Sequence, residues 1–86
     1  MHELSLALEV CSIAERHLAG RDGSCLRRVG VEVGDDSNVE VDNFRFCLAA
    51  LLGEPPFGHA EATITTCPGT DLRLAWLEVD DDDSGD

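Results

Sequence analysis

Apolar residues recur at spacings of three and four from residue 3 to about residue 19, at Leu4, Ala7, Leu8, Cys11, Ala14 and Leu18, with Glu9, Glu15 and Arg16 elsewhere around the wheel. This spacing predicts an amphipathic helix. Leu6, Val10 and Ile13 widen its apolar face enough to pack over a sheet and beside a second helix. Gly20 and the run Arg21-Asp22-Gly23-Ser24 end it. The period then falls to two over residues 27–34: Val29, Val31 and Val33 share one side and Arg28, Gly30 and Glu32 the other, as in a strand. Gly34-Asp35-Asp36-Ser37-Asn38 reads as a turn, since these side chains bond back to their own backbone. Phe44, Cys47, Leu48, Leu51 and Leu52 mark a second helix, with Glu40 or Asp42 at its acidic start and Gly53 and Pro55-Pro56 as its stop.

Ala60, Ala62 and Ile64 alternate with Glu61, Thr63 and Thr65, which predicts a second strand. Cys67-Pro68-Gly69-Thr70 follows as a type II turn. A third strand runs from about Asp71 to Val79, with Leu72, Leu74 and Trp76 on one face and Ala75, Leu77 and Val79 on the other. The short gap predicts that the second and third strands form an antiparallel hairpin. The order is helix, strand, helix, strand, strand. The fold class expected is α/β, two helices packed on a three-stranded sheet.

The chain has 86 residues, of which 43% are apolar. That is one domain with a core, and a chain so short buries only roughly 60% of the surface its unfolded form exposes, leaving little room for a deep active site. The domain is expected over residues 1–79, followed by a solvated, disordered tail over residues 80–86, Asp-Asp-Asp-Asp-Ser-Gly-Asp. Formal charge is −12, and the body stays acidic when the tail is set aside. Nucleic acid and anionic membrane surfaces are therefore poor partners, because both need clustered Lys and Arg. Basic surface or a cation suits better.

Candidate chemistry begins at the first residues. A bulky second residue such as His2 usually protects the initiator methionine, so a free Met1 amine is expected beside the His2 imidazole. That amine, the backbone nitrogens of His2 and Glu3 and the imidazole can reach one metal ion. Nitrogen donors in fused chelate rings lie near a plane, which points to Ni(II) or Cu(II) rather than zinc or magnesium. Each amide that binds loses its proton and offsets the charge of the ion. Taken alone, these residues are more simply a start codon followed by His and Glu.

Elsewhere the chemistry is sparse. Cys11, Cys25, Cys47 and Cys67 are far apart, with no Cys-x-x-Cys pair for zinc or thiol redox work. Cys11 and Cys47 fall on helix faces expected to be buried, and Cys25 and Cys67 near loops. Phe44 and Trp76 read as core aromatics. His17, near the end of the first helix, and His59, at the start of a strand, read as solvent-facing imidazoles rather than metal ligands. There is no phosphate-binding Gly-Lys-Ser/Thr loop and no nucleophile at a motif-like distance from a histidine, so no enzyme activity is expected. The first residues are not a signal peptide and no apolar run reaches transmembrane length, so a cytoplasmic protein with reduced thiols is expected.

Three segments together, MHELSLA, VGVEVGDDSNVEVDNFRFCLAALLG and DLRLAWLEVD, resemble the HypA/HybF family of hydrogenase nickel-incorporation proteins across residues 1–79. The specific parts are Met1-His2-Glu3, then Gly34, Ser37 and Val39-Glu40, the Phe44 to Cys47 region, and the closing Leu-Glu-Val. The resemblance implies a nickel metallochaperone. Ni(II) would sit at Met1, His2 and Glu3, with Glu40 where the family places an acidic residue associated with the site and the Glu3 carboxylate in a supporting role. The partners implied are a maturation GTPase and the large subunit of nickel-iron hydrogenase or its assembly complex, sometimes urease, with the protein itself a monomer or weak dimer. One departure is large. The family carries a zinc module on two Cys-x-x-Cys pairs between the second and third strands, and here only Thr66-Cys67-Pro68-Gly69-Thr70 spans that gap, so no structural zinc is expected. An alternative reading follows: a zinc-free, non-delivering module for docking and assembly in hydrogenase maturation.

Overall fold

The computed structural model describes residues 2–80, with side chains from Glu3 onward. Helix α1 spans His2–Leu18, strand β1 Leu26–Gly34, helix α2 Val41–Leu52, strand β2 Glu61–Cys67 and strand β3 Leu72–Val79. The expected order and class hold: two helices and one three-stranded sheet. Helix α1 stops where Ala19 and Gly20 turn to positive φ, and Gly53 caps α2. Of the expected tail only Asp80 is described. Its N–H donates to the Cys25 carbonyl at 2.7 Å and its carboxylate faces Arg27 at 4.0 Å.

The strand order is β2-β1-β3. Strand β1 pairs in parallel with β2 over seven register partners and antiparallel with β3. The expected hairpin is thus incorrect, because β2 and β3 lie on opposite edges and the link of residues 68–71 crosses the end of β1 between them. The physical reason lies in the most buried strand, β1. Val29, Val31 and Val33 are each at most 1% exposed. A strand that buries so much is best placed at the centre, flanked on both sides. Gly34 makes the crossing possible: a Cβ there would lie 2.4 Å from the Gly69 carbonyl oxygen. Gly69 takes the positive φ that the third residue of a type II turn requires.

Both helices cover one face of the sheet. Ala7, Val10 and Ala14 of α1 and Phe44, Leu48 and Leu52 of α2 join the three valines of β1 in one buried cluster. Full burial of side chains of this size contributes roughly 1.5–3 kcal/mol each, before the entropy cost of ordering the chain. The other face is bare, with Arg28, Arg73 and Glu78 exposed and Glu32 half-buried.

The two faces assigned to β3 from its alternation need correction. Register shifts fall between Gly30 and Val31, so that Gly30 faces Trp76 and Val31 faces Leu74, leaving Ala75 as an extra residue. Leu72, Leu74, Leu77 and Val79 all pack against the core as a result. Trp76 is not a core aromatic: it is 44% exposed on the bare face, its indole lying over Gly30. His59 precedes β2 in a bend rather than starting the strand.

Gly34 pairs with Cys67 and Val33 with Leu72, and the β1–α2 loop is only residues 35–40. The carboxyl ends of β1 and β2, the start of β3 and the N-termini of both helices therefore gather at one end of the molecule. The link of residues 68–71 and Glu3 share that end. In open α/β sheets, the crevice beyond the carboxyl ends of the strands is where ligands bind.

Candidate metal centre

The backbone of His2 opens α1, while Met1 and the His2 imidazole lie outside the described residues. The first four N–H groups of an α-helix lack an acceptor in the preceding turn, and the amides of His2 and Glu3 fall among them. Glu3 is the one buried charged residue among those described, 7% exposed. Its Oε2 accepts the N–H of Glu40 at 3.0 Å, and its Oε1 accepts Nδ2 of Asn43 at 3.3 Å. These bonds hold the Glu3 carboxyl down at about 2, the Glu40 amide contributing most and Glu3's own N–H next, against burial, which opposes. A carboxylate that accepts several N–H bonds is stabilised in its charged form.

Glu40 is the N-cap of α2. Its Oε1 accepts the N–H of Asn43 at 3.3 Å while its own N–H goes to Glu3. Two of the four expected site residues, Glu3 and Glu40, are thus brought together although they are 37 positions apart in the chain. Both carboxylates are engaged by the start of α2, each accepting an N–H there. Two helix N-termini meet here, and their partial positive charge disfavours a dication unless negative charge accompanies it. Glu3 and Glu40 supply that charge. Asn43 was not foreseen. Its only trace in the sequence is its place three residues after an acidic residue at a helix start, the spacing of a cap to its amide.

The other candidates lie apart. Among the described residues, no three His, Cys, Asp or Glu side chains are grouped to hold a metal ion. His17 and His59 are exposed. Cys11 is buried, and desolvation, with Glu15 nearby, pushes its thiol up to about 11. Cys25, Cys47 and Cys67 are half-buried, so Cys47 is less enclosed than its helical position implied and Cys25 and Cys67 less open than their loops implied. All four are free thiols. No described helix is long and apolar enough to cross a membrane.

A family model described as hydrogenase/urease nickel incorporation, metallochaperone, hypA, matches residues 1–72. The hydrogenase maturation factor HypA of Rhodopseudomonas palustris (strain BisA53) is 35% identical over 75 residues, covering 87% of this chain and 66% of that protein. The hydrogenase maturation factor HypA of Chlorobaculum parvum (strain DSM 263 / NCIMB 8327) is 36% identical over 70 residues, 78% of this chain and 59% of its own length. That of Azoarcus sp. (strain BH72) is 34% identical over 70 residues, 81% and 61%. The chain spans two thirds or less of the length of these relatives. With its fold, the junction of its two helix starts and these matches in hand, the chain belongs to the HypA family of hydrogenase/urease nickel-incorporation proteins.

Proposed function

We propose that this protein carries Ni(II) at its Met1-His2-Glu3 terminus and hands it to the maturation machinery of a nickel enzyme, a hydrogenase first of all. The observation that carries the reading is the buried Glu3 carboxylate, locked onto the Glu40 amide and Asn43. It fixes the backbone that would chelate the metal against α2, so the terminus stands on a rigid base. The cargo would be held by the Met1 amine, the His2 imidazole and the amides of His2 and Glu3, with Glu3 and Glu40 offsetting the helix ends. Release needs no unfolding, because only the chain end must open. Amide deprotonation makes loading tighter as pH rises.

The partners in this reading are a GTPase of hydrogenase maturation and the hydrogenase large subunit or its assembly complex, met in the cytoplasm. No zinc is assigned, since the link between β2 and β3 is only residues 68–71.

A second reading has its own observation. Leu4 and Leu8 on α1 and Phe46 on α2 are 53%, 51% and 73% exposed, all on the helix layer. Exposed apolar side chains on the helix layer suit a docking module that assembles complexes without delivering nickel.

Calorimetric and optical titration with nickel separates the two readings. Protein with a free Met1 amine is compared with His2→Ala and with a variant carrying one extra N-terminal residue. The carrier reading requires stoichiometric binding with a planar d–d band, lost in both variants. Binding indifferent to both changes removes it. A His2→Ala protein that still supports hydrogenase maturation favours the docking module.

A further inference from the structure

The amides of the β1–α2 loop are spoken for almost one by one. Gly34 N–H donates to the Asp71 carbonyl at 2.7 Å, Asp35 N–H to Cys67 at 2.7 Å and Asp36 N–H to Gly69 at 2.8 Å. The Asp71 and Gly69 acceptors belong to the crossing between β2 and β3, and Cys67 is the last residue of β2. Next, Ser37 N–H returns to the Gly34 carbonyl at 3.0 Å and Val39 N–H to the Ser37 hydroxyl at 3.3 Å. Glu40 N–H then donates to Glu3 at 3.0 Å. The bond is reciprocated at the crossing, where Gly69 N–H donates to Oδ1 of Asp35 at 3.3 Å.

We propose that the link of residues 68–71 is a clamp that positions the metal-bearing terminus, and that Asp35 is its positioning residue. Asp35 is suited to this because it ties the loop both to the end of β2, as donor through its backbone to Cys67, and to the link, as acceptor through its side chain from Gly69. The loop between the clamp and Glu40 is short and internally bonded, so it has few ways to absorb a shift of the link. Moving Gly69 moves Asp36, and the displacement arrives at the Glu40 amide that holds Glu3. A rigid short connection here does locally what burial does for the rest of the chain: it removes alternative positions of the helix start. The inference rests on the nickel-terminus reading for its consequence, but the coupling itself belongs to the metal-free protein.

The test uses Asp35→Ala and Asp35→Asn in the full chain. Asparagine keeps an oxygen that accepts the Gly69 N–H, whereas alanine does not. In metal-free protein, Asp35→Ala is expected to speed hydrogen exchange at the Asp36 and Glu40 amides by about threefold to tenfold, the range of one lost hydrogen bond, with Asp35→Asn close to the parent. Nickel affinity and the d–d band should follow the same order: lowered and shifted in the alanine variant, restored in the asparagine variant. Core amides of β1 serve as the control for general destabilisation and should keep their protection.

Exchange that rises at Asp36 but stays unchanged at Glu40 overturns the clamp. Equal speeding at β1 core amides overturns it too, because the residue would then be only structural. A parent protein that binds no nickel removes the carrier reading while the exchange result still decides the clamp.

Discussion

Glu3, in the helix layer, is 7% exposed and accepts bonds from the Glu40 amide and Asn43. Glu32 and Glu78, on the bare face of the sheet, pair instead with Arg73 at 2.9 Å and Arg28 at 3.5 Å, with these side chains between 35% and 68% exposed. The bare face carries exposed ion pairs, whereas the helix layer holds the one buried carboxylate among the described residues, bonded to the start of α2. Yet the buried acid is the one with leverage, because water cannot replace its donors, whereas exposed pairs trade ion–ion contacts for hydration at nearly equal free energy. Burial from solvent separates the two.

The largest effect expected belongs to the helix-covered face. Leu48→Ala, at a residue 0% exposed, should cost about 2–5 kcal/mol by chemical denaturation, the range for emptying a core position. Next comes a site that makes the bare face less uniform than it looks. Gly30→Ala should cost about 1–3 kcal/mol, because the new Cβ would fall 2.0 Å from the Trp76 indole and the ring must leave its place. A fluorescence change of Trp76 should accompany it. Should Gly30→Ala prove neutral, the bare face contributes no packing at all.

The third prediction concerns pH. The Glu3 carboxyl is lowered from 4.5 to about 2, so its ionised form contributes stability above pH 4.5 that is lost as pH falls towards 2. Glu3→Gln should flatten the pH dependence of stability in that window, measured as denaturation midpoints, and leave the parent and variant most alike at the acid end. An identical acid limb in the two proteins would sink the assignment. The smallest effect belongs to the exposed pair. Arg73→Ala should change stability by less than about 1 kcal/mol, and less still at high salt. A loss matching that of Leu48→Ala would reverse the comparison.

Much of the architecture was legible because it is written at short range. The spacing of Ala7, Cys11, Ala14 and Leu18 requires one buried helix face, and the alternation of Val29, Val31 and Val33 requires one buried strand face. The pairing of strands was not. A short gap after Cys67 looks like a hairpin, and nothing in residues 68–71 says that the link passes over the end of another strand. The clue was the βαβ unit: β1 and β2 are separated by a helix, the kind of connection that parallel neighbours need. Trp76 was misplaced for a different reason. One extra residue at Ala75 shifts the alternation, and period-two reasoning has no means of locating a bulge.

The candidate site divides in the same way. The chelating terminus proposed at Met1, His2 and Glu3 depends only on covalent order, so the sequence by itself carries that proposal, and it determined the two helices and the three strands. Only the tertiary structure decided that Glu3 meets Glu40 and Asn43, that Asp35 meets Gly69, and that both contacts share one end of the fold. These partners are separated by 37, 40 and 34 positions. Contacts across such distances arise from how the buried faces of α1, α2 and β1 close on one another, and local periodicity carries no record of that closure.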